Sequence, residues 1–205
     1  MGVEAMKRLP VNEIFYSLQG EGGQSGMAMC FVRLSHCNLS CPYCDTDFAA
    51  FQELSEETIL QALRAYPTHN LLWTGGEPTL SIDEEVIDFF RRHGYRQSIE
   101  TNGTRPVPPG LDWVTVSPKP EAFPLLKTNF PSGVNEWRFP FGAGAPLPPS
   151  ITALPPAQCY CLSPIIEADE VINSTHQTLQ ACMDYIMQHP EWRLSIQLHK
   201  LLGFR

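Results

Sequence analysis

The chain has 205 residues, of which 43% are hydrophobic and 18% charged, with a formal net charge of −8. That length suits one ordinary domain, and the composition excludes a disordered chain. The acidic balance argues against a nucleic-acid partner, which a basic face would mark. No apolar run reaches the roughly 18 residues of a membrane span, so no membrane partner is expected. Residues Met1 to Pro10 show no apolar core with a cleavage pattern, so the expected location is cytoplasmic.

Short apolar runs rich in β-branched and aromatic residues recur along the chain. They are Met29–Leu34, Asn70–Thr74, Gln97–Thr101, Trp113–Ser117, Glu136–Phe141, Cys159–Ser163 and Arg193–Leu198, which predict six or seven strands. Several are continuous rather than alternating, as in parallel strands covered on both faces.

Helices are predicted between some of them. Ser55 is a good N-cap, with Glu56 and Glu57 in the first turn and Ile59, Leu60, Leu63 and Tyr66 as an apolar stripe. Ser81 and Glu84 make a capping box before Val86, Phe89 and Phe90. Asn173 is placed as the cap of a helix running to His189, with Leu179, Cys182, Met183 and Ile186 inward. Thirteen of the nineteen prolines fall between Arg105 and Pro156, where helices are disfavoured and strands must be joined by loops. Gly142–Pro156 reads as a long loop within one domain spanning residues 1–205. The expected fold is α/β, an abbreviated partial (β/α) barrel of about six strands and three helices, because a complete eight-unit barrel needs at least about 200 residues and typically about 250, which leaves this chain no loops to spare.

Seven cysteines, an odd number, make a poor disulfide framework. Three are clustered, as Cys37-Asn-Leu-Ser-Cys41-Pro-Tyr-Cys44, just after the first predicted strand. A cubane iron–sulfur cluster commonly takes four thiolates, so three would leave one iron with an open position. Two other readings stand beside it. A structural zinc site could take His36 as a fourth ligand, and the thiols could be unliganded core residues. Cys159 and Cys161 read as ordinary strand residues.

A second element follows at the end of the second predicted strand, Thr74-Gly75-Gly76-Glu77-Pro78. Cysteines spaced three and two apart, an aromatic before the last of them, and this glycine pair together resemble the radical S-adenosylmethionine enzymes. Further stretches resemble one family among these, the 7-carboxy-7-deazaguanine synthases. They are Tyr16-Ser-Leu-Gln-Gly-Glu-Gly22, Phe31-Val-Arg33, Cys44-Asp-Thr46, Glu100-Thr-Asn-Gly-Thr104, Ser117-Pro-Lys119 and Gln197-Leu-His-Lys-Leu201. Generic radical enzymes lack the Leu-Gln-Gly-Glu-Gly element. A radical enzyme that activates a protein partner, or a zinc-stabilised binding module, would be the competing classes.

The resemblance implies a lyase of the 7-deazapurine (queuosine) pathway, usually a homodimer. It converts 6-carboxy-5,6,7,8-tetrahydropterin to 7-carboxy-7-deazaguanine with loss of ammonia. It also implies a 4Fe–4S cluster, S-adenosylmethionine, Mg²⁺, and an electron donor such as flavodoxin. By the same resemblance, Cys37, Cys41 and Cys44 would hold the cluster and Thr46 the Mg²⁺. Tyr43, Cys44, Asp45, Gly76, Ser117, Pro118 and Lys119 would bind S-adenosylmethionine. Leu18, Gln19, Gly20, Glu21, Arg33, Thr74, His199 and the terminal carboxylate at Arg205 would bind the pterin. No side chain is assigned as a catalytic acid or base.

These roles suit the chemistry. The pterin edge is a row of donors and acceptors that Gln19 and Glu21 can meet. Arg33 offers a fork to the substrate carboxylate, and Mg²⁺ favours oxygen. The sequence departs from the family at Ser163-Pro164-Ile165-Ile166, where Ser163 replaces a common glutamine; these four residues are expected near the adenosine part of the cofactor. Val134-Asn-Glu-Trp-Arg138 resembles an Asn/Asp-Glu element and receives no role.

Overall fold

The computed structural model describes residues 7–42, 44, 50–142, 144–165 and 172–205, with only the backbone described for 172–176. The chain divides into two compact units. One comprises Met1–Ser17, Ala28–Glu100 and Val107–Asp112, the other Leu18–Met27, Thr101–Pro106 and Trp113–Arg205.

The first unit carries strands β1 (Arg8–Leu18), β2 (Ala28–Leu34), β3 (Gln52–Ser55), β4 (Asn70–Gly75) and β5 (Arg96–Thr101), with neighbours in the order β3-β1-β2-β4-β5. Strands β2, β4 and β5 are parallel, with Cys30 opposite Leu71 and Asn70 opposite Arg96. Their continuous apolar runs anticipated this, because a strand covered on both faces has no polar side. Helices α1 (Glu56–Leu63) and α2 (Glu84–Arg92) bury Ile59, Leu63, Val86, Ile87 and Phe90. Trp73 is fully buried edge-on to Phe90, and its indole N–H donates to Gln97 Oε1 at 3.0 Å. Gln97 in turn donates to the Ile87 carbonyl at 2.7 Å, so a polar side chain in the core is satisfied.

Several expectations need correction here. Strand β1 was not predicted, because Pro10, Asn12 and Glu13 break the apolar run. Its Pro10 lacks an N–H but accepts from Ser35 at 2.9 Å, and β3 pairs antiparallel with the strand's start. Ser55 does cap α1, accepting the Thr58 N–H, but the helix stops before Tyr66, which stacks on Tyr16. The cap of α2 is Asp83, not Ser81; Asp83 accepts the Val86 N–H at 3.2 Å. Ser81 is taken up by the preceding 3-10 turn, where its N–H donates to Pro78.

The second unit carries four parallel strands in sequence order: β6 (Trp113–Val116), β7 (Val134–Phe141), β8 (Ala157–Pro164) and β9 (Arg193–Leu194). Trp137 and Phe139 of β7 form its aromatic core with Phe130 and Trp192, all at least nine-tenths buried. The Trp137 indole N–H donates to Pro155 at 2.8 Å, which ties down the long loop expected at Gly142–Pro156. Helix α3 (Leu126–Asn129) is a single turn in the proline-rich stretch where no helix was expected; it continues a 3-10 segment that begins with Pro120, a residue tolerated in a first turn.

Helix α4 (Ile172–Gln188) begins before Asn173, which is therefore inside the helix rather than its cap. Cys182 is buried, and Leu179, Met183 and Ile186 are half-buried as the stripe predicted. The last predicted strand, Arg193–Leu198, shortens to Arg193–Leu194, and helix α5 (Leu198–Leu202) follows it. No helix among the described residues is long and apolar enough to cross a membrane.

The Asp83 cap supplies a measurable contribution to the first unit. Burial raises its carboxyl pKa, but the paired Lys7 ammonium and the Val86 N–H outweigh this and hold it below the usual range. Asp83→Ala is expected to cost about 1 kcal/mol in denaturant unfolding at neutral pH. A depressed carboxyl stabilises the fold above its unfolded pKa of about 3.9 and loses that contribution as pH falls through the lower folded value. The difference between wild type and variant should therefore shrink below about pH 4.

Candidate functional site

In the first unit, the chain leaves β2 at Leu34 and reaches Cys37 after Ser35 and His36. The glycine strand end of β4 holds this exit by backbone bonds. Gly76 N–H donates to the Leu34 carbonyl at 2.8 Å, and Glu77 N–H to the His36 carbonyl at 2.7 Å. A Cβ on Gly76 would lie 2.0 Å from the His36 oxygen, and one on Gly75, at φ +111°, 2.1 Å from the Leu34 oxygen. Only glycine permits so close an approach. The fully buried Glu77 accepts from the Thr79 N–H at 3.1 Å and the Thr79 hydroxyl at 2.7 Å, and so shapes the turn that follows.

None of the seven cysteines is in a disulfide. Cys37 and Cys41 are half-buried and Cys44 is exposed, with the Cys44 N–H donating to Cys41 O at 3.1 Å in a tight turn. Among the described residues, no three His, Cys, Asp or Glu side chains are grouped to hold a metal ion. Thiolates repel one another, and metal binding is coupled to local folding. The donor set suits iron and sulfide: soft thiols, within solvent reach, on one short loop. His36 is exposed beside Phe51, with ring centroids 5.1 Å apart. The remaining cysteines differ in character. Burial pushes the Cys30 thiol up to about 11 and the Cys182 thiol up to about 12, so both are protonated core groups. Cys159 and Cys161 are buried in β8, as read from the sequence, and the Cys159 thiol donates to Asn135 O at 3.7 Å; the neighbouring Cys161 thiol lowers Cys159, and Cys159 together with burial raises Cys161.

Two proposed pterin ligands in this unit have protein partners. Arg33 Nε donates to Glu13 Oε1 at 2.8 Å, and its guanidinium lies 5.7 Å from the Phe15 ring centroid. The Thr74 hydroxyl donates to Glu100 Oε2 at 3.4 Å.

In the second unit, Leu18–Gly23 forms a tight polar turn. Gln19 N–H donates to Met27 O, and Gly26 N–H to Gln19 O, each at 2.8 Å. The Gln19 side-chain oxygen accepts the Glu21 N–H at 3.1 Å, while Leu18 is largely exposed. Gly20 meets the tail: its carbonyl accepts from Leu198 N–H at 3.1 Å, and a Cβ would stand 2.6 Å from His199 Nδ1. The structure thus brings Gly20 and His199 together.

Glu21 is held on both oxygens. Oε2 accepts from the Ser163 hydroxyl at 3.1 Å and faces Arg138 Nη1 at 3.3 Å; Oε1 accepts from Gln197 Nε2 at 3.2 Å. Ser163, expected beside the adenosine, therefore has its hydroxyl on Glu21. Next along the turn, Gly22 N–H donates to Ser195 Oγ at 2.9 Å and Gly23 N–H to Glu136 Oε2 at 2.8 Å.

Sequence reasoning missed Glu136, Arg138, Ser195 and Gln197 in this cluster. The available signal was two charges two residues apart inside an apolar strand, which places both on one face of β7. Ser117, Pro118 and Lys119 form a compact segment after β6, with Lys119 Nζ donating to Ser117 O at 3.1 Å and Ser117 Oγ at 3.0 Å. Pro164 is buried, and Ile165 N–H donates to Phe141 O at 3.0 Å. Arg205 is exposed beyond α5, which ends at Gly203 in the left-handed conformation. Tyr43, Asp45, Thr46 and Ile166 lie outside the described residues.

A three-cysteine loop entered from a parallel strand and clamped by a glycine strand end is the build of the radical SAM class, and the Radical SAM superfamily model matches residues 32–127. The chain is 41% identical over 195 residues to a 7-carboxy-7-deazaguanine synthase of Bacteroides thetaiotaomicron, covering 95% of this chain and 98% of that one. It is 37% identical over 194 residues to the Haemophilus influenzae enzyme of the same name, covering 93% and 92%. Its fold is similar to the crystal structure of QueE from Escherichia coli, with a TM-score of 0.67, 27% identity, and 94% and 95% of the two chains covered. The chain belongs to the 7-carboxy-7-deazaguanine synthase family.

Gly76→Ala would force a methyl onto the His36 carbonyl, which is backbone and cannot swing aside. The substitution is expected to destabilise the protein by about 1–3 kcal/mol and to lower the iron bound per chain after anaerobic reconstitution. Unchanged iron content and thermal midpoint would show that the close approach is dispensable.

Proposed function

We propose that this chain catalyses the ring contraction of 6-carboxy-5,6,7,8-tetrahydropterin to 7-carboxy-7-deazaguanine, with loss of ammonia, as a radical SAM carbon–nitrogen lyase in queuosine or other 7-deazapurine biosynthesis. The observation that carries this reading is the similarity along nearly the whole chain to 7-carboxy-7-deazaguanine synthases. Cys37, Cys41 and Cys44, outside any disulfide and at least partly exposed, support it as ligands for a 4Fe–4S cluster. When bound, the cluster supplies the electron for reductive cleavage of S-adenosylmethionine, the source of the radical that acts on the substrate.

The chain's own residues then bind and orient. Gly76, at the strand end beside the cysteine loop, contacts the amino group of S-adenosylmethionine, and Ser117, Pro118, Lys119, Pro164 and Ile165 contact other parts of it, with Tyr43, Asp45 and Ile166. Arg33 binds the substrate carboxylate, which replaces Glu13 as its partner. Leu18, Gln19, Gly20, Glu21, Thr74, His199 and the Arg205 carboxylate bind the pterin, with Glu21 accepting from its N–H edge. Thr46 would give Mg²⁺ one hydroxyl; substrate oxygens and water would complete the shell of so hard a cation.

In the same reading, residues 1–205 work as one catalytic domain. The protein acts as a homodimer, takes electrons from a carrier such as flavodoxin, and resides in the cytoplasm, where a reducing environment preserves an open-iron cluster.

Anaerobically reconstituted protein incubated with the carboxytetrahydropterin, S-adenosylmethionine, Mg²⁺ and dithionite should yield 7-carboxy-7-deazaguanine by mass spectrometry. Cluster-loaded protein that forms none would overturn the assignment. Cys41→Ala should lose both the broad visible absorption of the cluster and the product; a variant that stays brown and active would remove Cys41 from the ligand set.

A further inference from the structure

The Glu21 carboxylate sits at the tip of a glycine turn, where three side-chain torsions and a permissive backbone would otherwise let it swing. A ligand that needs an acceptor at a fixed point loses affinity if the acceptor must first be ordered. The structure removes that freedom with three donors drawn from three places in the second unit. Arg138 comes from β7 and Ser163 from β8, while Gln197 comes from the segment before α5.

Arg138 is the strongest of the three. Its side chain is only 5% exposed and lies between two carboxylates, Glu21 at 3.3 Å and Glu136 at 3.5 Å. A buried guanidinium must be paired, and truncating it strands the carboxylates it faces. Glu136, at 2% side-chain exposure, also takes the Gly23 N–H on its other oxygen. A Cβ on Gly22, at φ +66°, would stand 2.0 Å from Glu136 Oε1. The turn and the ion cluster are therefore built together: Glu136 sets the backbone that presents Glu21, and Arg138 sets its carboxylate. An ionised carboxylate has about four acceptor sites. The three contacts described take three, which leaves Glu21, at 18% side-chain exposure, an acceptor site for an N–H donor outside the cluster.

We propose that Arg138, together with Ser163 and Gln197, positions Glu21 as an acceptor for the N–H edge of the pterin, and so sets affinity for the substrate rather than for S-adenosylmethionine. The proposal rests on the reading that Glu21 binds the pterin, and the experiment separates the two.

Dissociation constants for 6-carboxytetrahydropterin are measured by anaerobic calorimetry on cluster-loaded enzyme with no reductant, so that nothing turns over. The variants are Glu21→Gln, Arg138→Met, Arg138→Lys and the double variant of Glu21→Gln with Arg138→Met. S-adenosylmethionine binding serves as the internal comparison. Arg138→Met should weaken the pterin by about 10–100-fold, as for loss of a charged, partly buried hydrogen bond. Arg138→Lys should recover part of that loss, because it keeps the charge without the fork. The double variant should bind about as weakly as the weaker single variant, since both changes remove the same positioned acceptor. S-adenosylmethionine affinity should hold within about twofold throughout.

If Glu21→Gln weakens the pterin while Arg138→Met does not, or if the two effects add, Arg138 is a structural residue only and the proposal falls. If Glu21→Gln itself leaves pterin binding unchanged, the assignment of Glu21 to the substrate falls instead. Should Arg138→Met not fold, Gln197→Ala takes its place. It should weaken the pterin by about 3–10-fold, non-additively with Glu21→Gln. An additive or absent effect would overturn the proposal.

Discussion

The first unit depends on a backbone contact that side chains would forbid. Strands β2 and β4 run parallel to the end of their pairing, and two further bonds, Gly76 N–H to Leu34 and Glu77 N–H to His36, extend the contact past it. Those bonds bring the chain entering the cysteine loop within 2.0 Å of the place where a Gly76 Cβ would be. The glycine pair therefore has a structural reason within the protein itself, before any cofactor is considered. The loop is attached at a fixed point to the core, while its thiols remain accessible.

In the second unit the constraint is electrostatic. Burying Arg138 and Glu136 inside a strand is costly unless both are paired and hydrogen-bonded. The pairing partners are the turn residues themselves: Glu21 by its carboxylate and Gly23 by its N–H. A motif that looks like a string of glycines around two polar residues is in this sense half of an ion cluster whose other half lies more than a hundred residues along the chain. Such a cluster buys specificity of geometry more than stability, since well-packed apolar residues could stabilise the same volume.

The cysteines divide by environment. Cys30 and Cys182 are held protonated by burial, and Cys159 and Cys161 are buried on one face of β8. Cys37, Cys41 and Cys44 lie on a loop with at least partial exposure, which is the condition for thiolates to meet a metal centre. Identical side chains thus serve packing in one place and stay open to a ligand in another, according to the solvent and charge around them.

The local part of this protein was legible in the sequence. Continuous apolar runs marked the parallel strands, Ser55 marked the start of α1, and the cysteine spacing, the Gly75-Gly76 pair and the Leu-Gln-Gly-Glu-Gly element marked the family, because each of these is a property of neighbouring residues. What the sequence could not show were pairings across long separations. Strand β1 is hidden by Pro10, Asn12 and Glu13 until β3 supplies a partner. The cap of α2 passes from Ser81 to Asp83 because a 3-10 turn claims the serine. The last predicted strand, Arg193–Leu198, stops at Leu194, and Leu198 turns its N–H to Gly20 and opens helix α5. Glu136 and Arg138 read as two stray charges on a strand, and only tertiary structure makes them partners of Glu21 and Gly23. A buried charge acquires its meaning from what faces it, and that is decided by the fold rather than by adjacent residues.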